Sequence, residues 1–186
     1  MSGRTVSRFV VLLRGVNVGK GNKVPMAEVR AALESLGHHQ VRTLLNSGNA
    51  VFSSTTRSTT KLASAIAKAV EERFGVVTPV IVKSAAELEA IVKNNPFPSP
   101  ESEHSRFLVA FALDSAKLLE LHGLSSLLQP GERFAVNEHA AYLHCAGGLL
   151  QSKVGEAILG RAGRSVTTRN WATVLKLLTL AREGAT

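Results

Sequence analysis

Arg8-Phe9-Val10-Val11-Leu12-Leu13-Arg14, running on through Gly15-Val16-Asn17-Val18-Gly19-Lys20-Gly21-Asn22-Lys23-Val24 to Pro25, is the stretch on which the fold reading turns. Its first part is a short, β-branched, uninterrupted apolar run, which predicts a strand over Arg8–Arg14. Its second part is rich in glycine and base and predicts a loop, Gly15 to Val24. Pro25 suits the first position of a helix, where a missing N–H costs nothing. Met26, Val29, Leu33 and Leu36 then fall at helical spacing, and Gly37 stops that helix. Strand, glycine-rich loop and helix in that order open an α+β unit.

Working outward, Val41–Leu45 and Ala50–Ser53 read as two strands about the turn cluster Asn46-Ser47-Gly48-Asn49. Residues 61–74 form an amphipathic helix with Leu62, Ile66, Val70 and Phe74 on one face, and Val76–Lys83 is a fourth strand. The order β-α-β-β-α-β is that of a split βαβ, or ferredoxin-like, unit. Ser84-Ala85-Ala86-Glu87 is a capping box that starts a helix over 85–93. Asn94 to Ser105 holds three prolines and few apolar residues and reads as a linker.

The same order recurs after it. Phe107–Leu113 is an apolar strand, and Ala116–Leu128 is helical with a break near Gly123. Glu132–Asn137 and Ala140–His144 flank a short turn. Ser152 caps a helix to Leu159, and Ser165–Thr168 is a short strand. Asn170 caps a closing helix with Trp171, Val174, Leu175 and Leu178 inward. Val76-Val77-Thr78 leading to Lys83-Ser84 lies over Ser165-Val166-Thr167 leading to Arg169-Asn170. The reading is therefore two ferredoxin-like halves, an internal duplication packed into one compact body. The first half and its linking helix span 1–94, the linker 95–105, and the second half with its closing helix 106–186. Neither FVVLL nor FLVAFAL alternates polar with apolar, so both strands should be covered on two faces. Helices cover one face. The other half, or a second copy in a homodimer, covers the other.

Composition narrows the partners. The chain of 186 residues carries 22 Lys+Arg against 14 Asp+Glu, a formal charge of +8, which favours anionic partners. Residues 1–24 hold five bases and no acid, and residues 139–182 hold six bases against Glu156 alone, whereas 84–138 is net acidic. A solvated, arginine-rich surface is the bland reading of the same numbers. No apolar run is long enough for a signal-peptide core or a membrane span, so no membrane partner is expected. A single cysteine, Cys145, excludes an internal disulfide framework and suits a cytoplasmic protein.

The residues that carry chemistry sit in loops and at helix starts. In the first loop Arg14, Lys20 and Lys23 supply charge. The backbone of Gly15, Gly19 and Gly21, with Asn17 and Asn22, surrounds a helix N-terminus, a combination that can hold a phosphate. It is neither a Walker loop nor a dinucleotide fingerprint. An ordinary basic loop explains it as well. Arg169 and Asn170, beside Trp171, open the last helix and offer a second anion site; a core tryptophan and a plain cap are the alternative. Ser47 and Asn49 in the SGN turn, and Lys153 at a helix start, complete the candidate anion-binding set. Ser47 lacks the surroundings of a nucleophile elbow. His144-Cys145 reads as packing, no His/Cys spacing fits a metal, and no carboxylate pair stands out as an acid/base couple. No cofactor is expected. An RNA-recognition surface needs aromatics on the central strands; only Phe52 is offered, and the RNP1 pattern is missing.

Leu12-Leu13-Arg14-Gly15-Val16-Asn17-Val18-Gly19, Asn22-Lys23-Val24-Pro25-Met26, Ser47-Gly48-Asn49-Ala50-Val51-Phe52, Asn94-Asn95-Pro96-Phe97, Tyr142-Leu143-His144, Ser152-Lys153 and Thr168-Arg169-Asn170-Trp171 together resemble the bacterial "domain of unknown function 1697" family. The resemblance covers about residues 6–180. It implies a bacterial cytosolic α+β protein, apparently duplicated, with no assigned reaction or cofactor. Where that family has Tyr and Gln before SGN, this chain has Leu44 and Asn46. Three functions remain open. A non-enzymatic nucleic-acid or polyanion binder using the basic loop leads. An enzyme or sensor for a small phosphorylated ligand, held between the halves with Asn17, Asn49, Tyr142 or His144 as polar partners, follows. A homodimeric partner protein is third.

Overall fold

A computed structural model describes residues 5–183. Among these the chain divides into two units, one within Met1–Leu88 and Leu177–Thr186 and the other Glu89–Lys176. No helix of the described residues is long and apolar enough to cross a membrane.

The first unit runs β1 (Ser7–Leu13), α1 (Met26–Ser35), β2 (His39–Leu44), β3 (Asn49–Ser54), α2 (Thr59–Phe74), β4 (Val80–Ser84) and the start of α3 (Ala85–Lys93). Its sheet has the order β2-β3-β1-β4, antiparallel throughout. Every residue of β1 from Arg8 to Leu13 is buried, as is all of β3, so both faces are covered as the unbroken apolar runs require. Register decides which loops meet. Leu12 lies opposite Asn49, and Leu13 opposite Val80. The end of β1 and the beginnings of β3 and β4 therefore share one end of the sheet.

Local chemistry accounts for the element ends. The capping box is complete: the Ser84 N–H donates to Glu87 Oε2 at 2.7 Å, and the Glu87 N–H donates to Ser84 Oγ at 3.1 Å. Ser58 caps α2 through the Lys61 N–H, and Gly75 closes it in the left-handed conformation. Three expectations need correction. Pro25 is the residue before α1 rather than its first; its carbonyl accepts from the Glu28 and Val29 N–H groups. Residues 76–79 are not strand: Pro79 has no N–H for a ladder, and β4 begins after it. Leu45 leaves β2 because it takes φ +57° in the turn.

The second unit has a similar element order with more 3-10 helix. After a 3-10 turn (Glu101–Arg106) come β5 (Phe107–Ala112), α4 (Ser115–Leu119) with a 3-10 extension (Glu120–Leu127), β6 (Arg133–Val136) and β7 (Ala141–His144). A 3-10 turn (Leu149–Gln151), α5 (Lys153–Leu159), β8 (Val166–Asn170) and α6 (Trp171–Arg182) follow. The sheet order β6-β7-β5-β8 repeats that of the first unit. Leu108, Ala110, Leu118, Leu121, Leu143, Val154 and Ile158 form its core on one face. Phe107 packs edge-on against Trp171 on the other. Ser152 caps α5, and Gly155 belongs there despite its low helix propensity. A Cβ on it would meet Leu149 Cδ1 at 2.5 Å. On α6, Leu177 and Ala181 are buried with Trp171, Val174 and Leu178, while Leu175 is only half-buried.

The proline-rich segment is ordered by its own side chains. Asn95 Oδ1 accepts from the Phe97 N–H, Asn95 Nδ2 donates to Ser99 Oγ, and a ring nitrogen of His104 meets the Ser99 carbonyl. Phe97 packs on Phe107 and lies under the Arg133 guanidinium at 5.3 Å.

Candidate functional site

Three loops of the first unit converge where β1 ends: the β1–α1 loop, the β2–β3 turn and the α2–β4 loop. Backbone bonds pin them. The Leu13 N–H donates to the Gly48 carbonyl at 2.8 Å, and the Arg14 N–H to the Pro79 carbonyl at 3.1 Å. The Thr78 hydroxyl donates to the Arg14 carbonyl. Asn17 is the central staple. Its side-chain oxygen accepts from the Val24 N–H at 2.8 Å, and its amide nitrogen donates to the Val24 and Asn46 carbonyls, each at 2.7 Å. Its own N–H donates to the Asn22 carbonyl. Val16 and Val24 fill the interior of the loop, both buried.

Gly48 seats the turn against this loop. It has φ +81°, and a Cβ there would lie 2.6 Å from Val16 Cγ2 and 2.8 Å from Leu13 Cβ. Asn49 is fully buried, and its amide nitrogen donates to the Leu44 carbonyl and to Ser47 Oγ. The SGN sequence is thus a packing solution: no side chain fits at its second position, and the third must satisfy the turn from inside.

The outer part of the loop is different. φ is positive at Gly15, Asn17 and Gly19 and negative at the residues between. Alternating φ signs of this kind are a feature of anion nests, in which successive N–H groups converge. Among the described residues, no protein hydrogen bond is made by the N–H groups of Val18, Gly19, Lys20 and Gly21. Lys20 and Lys23 are exposed, and Lys23 Nζ approaches the Gly19 carbonyl at 3.2 Å. Asn22 Nδ2 reaches the Gly15 carbonyl at 3.4 Å. α1 begins beyond Pro25 without a side-chain cap. Arg14 is half-buried, and burial lowers its pKa without removing its charge at neutral pH.

So the fold brings together Arg14, Gly15, Asn17, Gly19, Lys20, Gly21, Asn22, Lys23, Ser47 and Asn49. Asn17 and Asn49 spend their side chains inside the loops. Arg169, Asn170 and Lys153 belong to the second unit. Arg169 is buried on β8, where its guanidinium donates to Thr167 Oγ1 and the Thr168 carbonyl, and burial pushes its pKa down to about 10. It remains a cation at neutral pH. Asn170 Oδ1 accepts from the Thr173 N–H and caps α6. Lys153 is exposed at the first position of α5.

Two further groupings appear in the second unit. His144, on β7, places Nε2 2.9 Å from Glu103 Oε2 in the proline-rich segment, a pairing for which the sequence holds no signal. Among the described residues its Nδ1, which is buried, has no partner. The Tyr142 hydroxyl donates to the Ile91 carbonyl, and burial pushes its pKa up to about 12. Burial likewise raises the Cys145 thiol, which disfavours the thiolate a nucleophile needs. No group of three or more His, Cys, Asp or Glu among the described residues is placed to hold a metal ion.

The loop and turn geometry coincide with a family match. Residues 6–142 match the model described as "Protein of unknown function (DUF1697)". The chain belongs to the DUF1697 family. The DUF1697 match takes in the first loop, the SGN turn and the proline-rich segment, and ends before His144, Lys153 and Arg169. One similar solved structure is that of the conserved bacterial protein SP0830 from Streptococcus pneumoniae. It is 24% identical with a TM-score of 0.78, over 95% of this chain and 99% of that one. This likeness shows the fold. No curated protein matches the sequence.

Proposed function

We propose that this DUF1697 protein is a non-enzymatic polyanion binder, with nucleic acid as the class of ligand, that grips phosphates on its β1–α1 loop. One observation carries the reading. Among the described residues, the N–H groups of Val18, Gly19, Lys20 and Gly21 have no protein partner, beside two exposed lysines on a loop whose φ signs alternate. Asn17 and Gly48 hold the loop in shape, so the nest is organised before a ligand arrives, which lowers the ordering cost of binding. Phosphate contacts of this kind position a ligand without reading bases. The recurrence of one element order and one strand order in both units supports an internal duplication. A lone buried cysteine suits a reducing, cytoplasmic setting.

The unpartnered N–H groups all lie within one short stretch, Val18 to Gly21, which favours a small phosphorylated ligand as second reading. Titration with short single- and double-stranded DNA and RNA at two salt concentrations decides. Binding that falls steeply with salt, and is lost in Lys20→Ala/Lys23→Ala with an unchanged melting temperature, is the expected result. Affinity indifferent to salt or to the two lysines sinks it. A rise in melting temperature with inorganic phosphate, without nucleic-acid binding, moves the site to the second reading.

A further inference from the structure

The anion nest does not account for three side chains at the same end of the sheet. Val18 in the β1–α1 loop is 68% exposed, Leu45 in the β2–β3 turn 55%, and Val77 in the α2–β4 loop 80%. Each is next to a residue that ties these loops together: Asn17 to the Asn46 carbonyl, and Thr78 to the Arg14 carbonyl. A single exposed aliphatic residue needs no explanation. Three on three pinned loops, one of them a leucine held at φ +57°, are another matter. That leucine gives up both burial and a relaxed backbone, a combination that points to a role outside the fold of the single chain.

Charge selects the partner. The three loops, residues 14–25, 45–49 and 75–79, contain Arg14, Lys20 and Lys23 and no acid. The surface is therefore apolar at its tips and positive around them, and its ligand must be anionic and apolar at once. Nucleic acid supplies apolar contact through bases, which stack on aromatic rings; these loops contain none. Protein hot spots are built on Trp, Tyr and Arg, with Leu and Val under-represented. A bilayer carrying anionic lipid fits both features. Aliphatic tips enter below the headgroups, while lysines stay at headgroup level with their stems along the apolar boundary.

We propose that this end of the first unit docks peripherally on anionic lipid surfaces, with Val18, Leu45 and Val77 inserting and Lys20 and Lys23 pairing with headgroup phosphates. The proposal deepens the anion-site reading and rests on it, since the same lysines serve both.

Sedimentation with vesicles tests it. Vesicles of equal parts phosphatidylcholine and phosphatidylglycerol are compared with phosphatidylcholine alone, at low and physiological salt. The parent should sediment with the anionic vesicles only. Lys20→Ala/Lys23→Ala should lose roughly thirtyfold in partitioning, from the contribution of each base near a charged surface. Leu45→Asn/Val77→Ser changes only exposed positions outside the nest and keeps a residue tolerant of positive φ at 45. It should lose roughly tenfold or more on vesicles, while its affinity for short DNA stays that of the parent. Absence of anionic-vesicle binding at low salt overturns the proposal, as does undiminished binding by the apolar variant. Should the parent bind DNA but not vesicles, the lipid proposal falls and the polyanion reading stands; should it bind neither, both fall.

Discussion

Asn17 and Gly48 show how single residues shape the loop end. Asn17 makes three side-chain hydrogen bonds that close its own loop and fasten the neighbouring turn. Asn17→Ala leaves a buried N–H and two carbonyls short of partners. It should cost roughly 1–3 kcal/mol in denaturant unfolding and weaken any phosphate binding further by loosening the nest. Gly48→Ala is worse placed, since its Cβ would fall 2.6 Å from Val16 Cγ2 at φ +81°. We expect a loss of roughly 2–4 kcal/mol, measured in the same way. Asparagine and glycine in these positions read from sequence as a phosphate loop and a hairpin turn. Their tertiary duty is to lock two loops together, and it depends on partners 29 positions away, as between Asn17 and Asn46. No local pattern encodes such a partner.

At the scale of elements, the local rules worked where their causes are local. The Ser84–Glu87 capping box, the helix it starts at Ala85, and the Ser152 and Asn170 caps were legible because donor and acceptor lie within three residues. The break in the helix near Gly123 takes the form of a 3-10 stretch from Glu120. The proline-rich segment was only half legible. Its composition announced a break between periodic elements, but not that Glu103 meets His144. That pair gives a pH prediction. The hydrogen bond from His144, helped by the charges of Arg106 and Arg133, holds the Glu103 carboxyl below its ordinary value of 4.5. A depressed carboxylate stabilises the fold above its unfolded pKa, and that stabilisation disappears as pH falls through the folded value. The parent should therefore lose melting temperature on acidification below about pH 4.5 more steeply than Glu103→Gln. Parallel slopes for the two proteins would remove the Glu103 contribution.

For the whole molecule, the salt dependence of any anion binding follows from the number of bases that touch phosphate rather than from the net charge of +8. Two or three phosphate contacts from Lys20, Lys23 and Arg14 predict a slope of roughly −2 to −3 in log affinity against log salt on duplex DNA. Replacing both lysines should flatten it by about 2. A slope near zero in the parent would make the basic charge incidental. What the sequence determined by itself was the α+β class, the repeated element order, the double burial of β1 and β5 and the basic character of the first loop. Each of these follows from periodicity, propensity or composition over a few neighbouring residues. Only the tertiary structure decided that Asn17 and Asn49 face inward, that Arg169 is buried, that Glu103 holds His144, and that Val18, Leu45 and Val77 are exposed at one end of one sheet. Each depends on contacts between segments far apart in the chain, which strand register and the hydrogen bonds between loops set together and no local pattern encodes.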